Sequence, residues 1–171
     1  MKVQDRLSAI EFAIDNEVRE REFYLKNARA ATNLVIRATF EALADEELEH
    51  IERLKELHLA LARGGSWPED LSLTIRSSRL RAVLADSAKR HKEIFGDVSA
   101  ILEAIQKSIE SEAKSAKFYL RLRDSVESPL EREFFGRLAE VEMDHCRALK
   151  NTEQFLNDPE VWRRLKDDHM G

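Results

Sequence analysis

FEALADEELEHIERL, residues 40–54, returns as FGRLAEVEMDHCRAL, residues 135–149, after an interval of 95 positions and without a gap. Phe40, Leu43, Ala44, Glu47, His50 and Leu54 become Phe135, Leu138, Ala139, Glu142, His145 and Leu149. Steps of three and four residues place each set on one face of an α-helix. That face is apolar except at its centre, where a Glu and a His stand three residues apart.

Upstream, the same interval relates AIDNEVREREFY (residues 13–24) to SIESEAKSAKFY (residues 108–119). Glu17 matches Glu112, Phe23 matches Phe118, and the chain's two tyrosines, Tyr24 and Tyr119, match each other. A drifting helical repeat keeps its apolar residues and scrambles its charges. Here the carboxylates and imidazoles hold register, so they look like the purpose of the repeat.

The 3.6-residue period predicts four long helices: about 5–31, 34–61, one opening at Asp97 or Ser99 as N-cap, and one following the break at 125–129. GGSWPED (residues 64–70) stops the second helix with glycines and Pro68. Short breaks inside each half imply two antiparallel hairpins. The connector of roughly 35 residues between them is far longer than a bundle loop needs. A 26-residue helix is roughly 39 Å long, so the connector can traverse the bundle and let the second hairpin enter inverted. Residues 78–95 carry a thin apolar face that suits a connector helix, and Asp158-Pro159 reads as the opening of a short terminal one. The expected organisation is a single all-α domain over 1–171: helix pair 5–61, crossover 62–97, helix pair 98–157 and C-terminal helix 158–168.

Composition agrees. Charged residues make up 36% of the 171 and only five are Gly and three Pro, a profile for long amphipathic helices. The net charge of −5 gives no basic footprint for nucleic acid. No apolar run reaches the roughly 20 residues of a membrane span, and MKVQDRLSAIEFAI enters a helical pattern without an apolar leader. The single cysteine, Cys146, excludes an internal disulfide and a Cys-based metal site. A cytoplasmic location is expected.

Glu and His at i and i+3 meet on one face of a helix. Glu47 with His50, and Glu142 with His145, therefore each aim a carboxylate and an imidazole at one point. Glu17 and Glu112 take core positions of their own, between Ile14 and Tyr24 or between Ile109 and Tyr119. Four carboxylates inside one bundle cost about several kcal/mol each unless compensated. No Lys or Arg recurs in both stripes to neutralise them, whereas two divalent ions would cancel four negative charges. Carboxylate and imidazole donors suit iron or manganese and are too oxygen-rich for a structural zinc site. A single Glu-x-x-His is usually a solvated pair; two copies in register, each with an upstream Glu seven residues before a Tyr, are not explained that way.

These segments, with FEALADEELEH and FFGRLAEVEMDH, resemble the rubrerythrin-like branch of the ferritin-like superfamily. The resemblance covers the four main helices and implies a ferritin-like four-helix bundle around two Fe ions, with Mn as the other metal. Glu17, Glu47, His50, Glu112, Glu142 and His145 are then the metal ligands, with Glu47 and Glu142 bridging. Tyr24 and Tyr119 would donate phenol hydrogen bonds to ligand carboxylates across the bundle; as core aromatics they need no other role. Full-length rubrerythrins carry a four-cysteine rubredoxin module that this chain lacks, so the electron donor is expected to be a separate rubredoxin-like protein. Their extra carboxylate after the third-helix Glu is Ser115 here. Its repeat mate Glu20 is the candidate seventh carboxylate, with a solvated surface Glu as the alternative. Leu48 stands where bacterioferritin has its haem-binding Met, so no haem is expected.

The resemblance points to a non-haem di-iron oxidoreductase that reduces hydrogen peroxide, or less readily dioxygen, as a homodimer without nucleic-acid or membrane partners. The alternative is a ferroxidase or iron-binding protein for storage or delivery, and a third is a metal-free helical interaction module. Cys146 reads as a buried packing residue, and His58, His91 and His169, without repeat mates, as structural or exposed. Trp67 and Trp162 read as covers for the bundle's ends or as part of a subunit contact.

Overall fold

Asn33 decides where the second helix begins. Its Oδ1 accepts hydrogen bonds from the amides of Val35 (2.9 Å) and Ile36 (3.1 Å), satisfying donors that no helical carbonyl reaches. The computed structural model describes residues 3–64, 82 and 98–158. In these lie α1 (Val3–Ala30), α2 (Leu34–Gly64), α3 (Val98–Ser125) and α4 (Pro129–Asn157), with no strand among the described residues. Extended Ser128 leads into α4, and Pro129 opens it at the position where a missing amide costs nothing. Ser99, a candidate cap, lies inside the first turn of α3, because that helix already runs from Val98. The helices expected within the crossover and after Asp158, and Asp97, Trp67, His91, Trp162 and His169, lie outside the described residues.

Because the Asn33 cap is buried, Asn33→Ala is expected to cost about 1 kcal/mol, read as a lower urea midpoint with an unchanged slope. No change in midpoint would mean that solvent can replace the cap.

Side-chain pairs fix the directions. Glu17 meets His50 and Glu11 meets His58, so α1 and α2 are antiparallel. Glu112 meets His145 and Gln106 meets Glu153, so α3 and α4 are as well. Across the hairpins, Asn16 reaches Ser115 and Tyr24 reaches Glu112, while Glu46 reaches His145 and His50 reaches Glu142. Thus α1 opposes α3 and α2 opposes α4. An ion pair of 3.1 Å between Arg6 and Glu131 joins the starts of the parallel helices α1 and α4. Gly64 and Val98 consequently lie at opposite ends of the bundle. The second hairpin is inverted relative to the first, the arrangement expected of a one-crossover, ferritin-like bundle.

The apolar core falls into two clusters, one toward each end. Tyr24, Phe40, Leu43, Ala44, Ile105 and Leu149 belong to one; their repeat mates Tyr119, Phe135, Leu138, Ala139, Ile10 and Leu54 belong to the other. The pseudo-two-fold axis exchanges the clusters. Between them lies a layer of buried acids and imidazoles.

Candidate metal centre

All six repeated groups point into that layer. Glu17, Glu47, Glu112, Glu142 and His145 have no exposed surface, and His50 is 3% exposed. Glu17, Glu47, His50 and Glu142 bring one donor atom each within 4.8 Å of one another. So do Glu47, Glu112, Glu142 and His145. Glu47 and Glu142 serve both groups, while Glu17 with His50 and Glu112 with His145 belong to one each. The imidazoles stack with ring centroids 5.9 Å apart. His50 Nδ1 lies 3.0 Å from Glu47 and 3.1 Å from Glu17, and His145 Nδ1 lies 3.3 Å from Glu112. Both rings thus turn Nδ1 toward the carboxylates.

The surroundings hold these groups in place. Tyr24 on α1 donates its phenol to Glu112 on α3, and Tyr119 on α3 donates to Glu17 on α1, so each hairpin orients the other's carboxylate. Burial, then the neighbouring Glu112 or Glu17, keeps both phenols protonated far above the ordinary tyrosine range. His145 Nε2–H donates to Glu46 Oε2 at 2.8 Å. The repeat mate of Glu46 is Val141, so α4 offers His50 no such carboxylate.

Glu20 is 5% exposed, which rules out the solvated surface reading. Its Oε1 accepts from Ser111 (2.5 Å) and Ser115 (3.0 Å), and its buried Oε2 accepts nothing. Asn16 Nδ2 donates to Ser115 Oγ at 2.8 Å. Asn16 and Ser111 are repeat mates, as are Glu20 and Ser115. The symmetry axis therefore passes through a small polar cluster in the α1–α3 seam.

Elsewhere the expectations are adjusted. Cys146 is half-buried rather than fully buried, with its thiol 3.6 Å from the Ile109 carbonyl. His58 pairs at 2.9 Å with exposed Glu11 at the surface.

Protons sort unevenly in the layer. Burial, then Glu142 and Glu47, drives Glu17 well above the usual carboxylate range. Burial likewise raises Glu112, with Glu142 adding to it against the pull of His145. Burial also opposes ionisation of Glu47 and Glu142. For Glu47 the hydrogen bond with Glu17 and the charge of His50 overcome it, leaving it well below the usual range. For Glu142, burial and Glu47 are outweighed by the adjacent Glu112 carboxyl and the two nearby imidazoles, bringing it to about 2. Burial works against charge on His50 and His145, yet Glu47 and Glu112 respectively hold both well above the ordinary imidazole value. Burial, then Glu47 and Glu142, raises Glu20 to about 8.

These donors fit a pair of divalent cations. Glu47 Oε1 and both oxygens of Glu142 are buried yet accept no hydrogen bond. Imidazole nitrogens stand 3.3–3.7 Å from them without hydrogen-bonding geometry. Among the described residues no lysine or arginine pairs with Glu17, Glu47, Glu112 or Glu142. Buried carboxylate oxygens without donors are costly and are satisfied by a metal ion.

No helix among the described residues is long and apolar enough to cross a membrane. Comparison with curated proteins and with solved structures found no match. A family model described as Rubrerythrin covers residues 8–151, the span holding every group that converges on this layer, and the chain belongs to that family.

Proposed function

We propose that the protein is a non-haem di-iron oxidoreductase that reduces hydrogen peroxide to water, drawing electrons from a separate rubredoxin-like donor. The observation that carries this reading is the sharing of Glu47 and Glu142 between two groups of donors, with no lysine or arginine of the described residues paired to them. Glu17 and Glu112 would complete one position each, with His50 and His145 offering Nδ1. Held there, a pair of iron ions would supply one electron each and Lewis acidity toward the O–O bond. The overall change is H2O2 + 2 H+ + 2 e− → 2 H2O.

The chain's own residues do the rest. Tyr24 and Tyr119 fix the outer oxygens of Glu112 and Glu17, leaving their inner oxygens for metal. Glu20 carries a proton near neutral pH beside the layer, with Ser111 and Ser115 fixing its orientation, and is the seventh carboxylate of this site. The apolar clusters on either side keep bulk water out of the layer. A homodimer in the cytoplasm, acting against oxidative stress, completes the reading.

Anaerobic Fe²⁺ loading with metal counted per chain, followed by stopped-flow mixing with peroxide or dioxygen, tests it. Faster oxidation by peroxide supports the reading. Multiple turnovers with excess Fe²⁺ and dioxygen would make the protein a ferroxidase instead, and no bound metal would make it an interaction module.

Glu46 gives a subtler prediction. A carboxylate behind a ligating imidazole fixes its tautomer and raises its basicity, and losing it weakens metal binding about 10–100-fold. Glu46→Gln is expected to weaken one of the two binding steps by that factor in a chelator-competition titration. Equal weakening of both steps would show that Glu46 acts on the fold rather than on His145.

A further inference from the structure

The α1–α3 seam contains a cavity of about 260 Å³. Asn16, Glu20, Phe23, Tyr24 and Ser111 line it, with the exposed Arg19 and Lys107. A water occupies about 30 Å³, so the space admits several water-sized molecules. Its inner wall belongs to the centre itself: Tyr24 donates to Glu112, and Glu20 is held by Ser111 and Ser115 with Oε2 buried beyond.

We propose that this cavity is the port through which a small uncharged hydrogen-bonding molecule, hydrogen peroxide in size and chemistry, reaches the centre, with Glu20 at its inner end. The inference rests on the peroxide-reducing reading above and adds the route and its selectivity. Hydroxyl, amide and carboxyl groups of the wall can exchange hydrogen bonds with peroxide, whereas dioxygen gains nothing from them. The cationic groups are Arg19 and Lys107, the latter paired with Glu103 at 2.6 Å. Arg19 repels a dication, and among the described lining residues only Glu20 is acidic. Metal therefore loads by another path.

The test compares Ser111→Ala, Ser111→Val and Ser111→Leu, with Asn16→Leu as a second plug should a Ser111 variant fail to fold. The rate constant of the Fe²⁺-loaded protein with peroxide is measured by stopped flow. Entry of Co²⁺ into the metal-free protein is followed separately through its visible bands. Slowing with peroxide is expected to grow with side-chain bulk and to reach ten-fold or more at leucine. The rate and stoichiometry of Co²⁺ loading should stay at the wild-type values. All three Ser111 variants lose the hydroxyl that holds Glu20, so bulk is read against alanine: a leucine variant no slower than the alanine variant, or Co²⁺ entry slowed in parallel, overturns the port. A wild-type protein that loads iron but ignores peroxide ends the functional reading, and the port with it.

Discussion

Glu142→Gln is expected to empty both metal positions at once, lowering metal from two ions per iron-supplied chain toward zero. The reason is geometric: Glu142 offers donor atoms to both groups, and an uncharged carboxamide replaces neither contribution. Glu47→Gln should behave alike. Glu112→Gln, which touches only the group containing His145, should leave about one ion per chain, since the position around Glu17 and His50 keeps its donors. Metal analysis after gel filtration reads the difference, with circular dichroism as the control for helix content. Equal retention in the Glu142 and Glu112 variants would falsify the sharing of carboxylates. Metal content near zero in the wild type as well would remove the metal from the argument altogether.

This contrast between shared and unshared carboxylates has its origin in the repeat. Residues that recur at a fixed interval, on helices related by a pseudo-two-fold axis, must come together wherever that axis crosses their layer. The all-α fold was legible for the same reason, because apolar steps of three and four fix the helices and the long connector fixes the inversion. Residues that break the repeat were harder to read. Glu46 is buried behind His145, but Val141 occupies its mate's position, so no recurrence marks it. Asn16, Ser111 and Ser115 look like ordinary surface polar residues. Their placement depends on how closely α1 and α3 approach, which helical periodicity does not specify. Glu20 could be read as inward or solvated from the same periodicity, and only packing against Ser111 and Ser115 decides it. Helix ends shifted by a few residues for a comparable reason, since α2 continues past Leu61 to Gly64 without needing a change in pattern.

Loading two divalent ions near neutral pH is expected to release about four protons per chain. In the metal-free layer Glu17 and Glu112 keep their protons, Glu47 and Glu142 are ionised, and both imidazoles are charged. The six groups are then neutral as a set. Four carboxylates with two dications are neutral too, so metal replaces two carboxyl and two imidazole protons without charging the interior. Titration calorimetry in buffers of different ionisation enthalpy counts the protons, and release of fewer than two would refute this distribution.

The same shifts set the stability of the metal-free chain. Glu17, Glu112 and Glu20 hold protons in the folded state that the unfolded chain loses above about 4.5, so their ionisation opposes folding increasingly as pH rises. The histidines contribute fully below about 6.5, and that contribution is lost as pH climbs through their raised folded values. Glu47 and Glu142 act oppositely, but their contribution is lost only on acidification; for Glu142 this occurs between about pH 4.5 and about 2. Stability of the metal-free protein should therefore fall between about pH 5 and 8. Glu20 alone, raised to about 8, accounts for a change on the order of 4 kcal/mol across that window. Bound cations would neutralise Glu47 and Glu142, whose charges add to burial in holding Glu20 protonated, and so reduce the slope. The difference in melting temperature between loaded and metal-free protein should widen by roughly 10 °C from pH 5 to pH 8. Glu20→Gln should remove part of that widening while leaving the metal count at two. A constant difference would mean that solvent reaches these carboxyls and that their burial does not govern their protons.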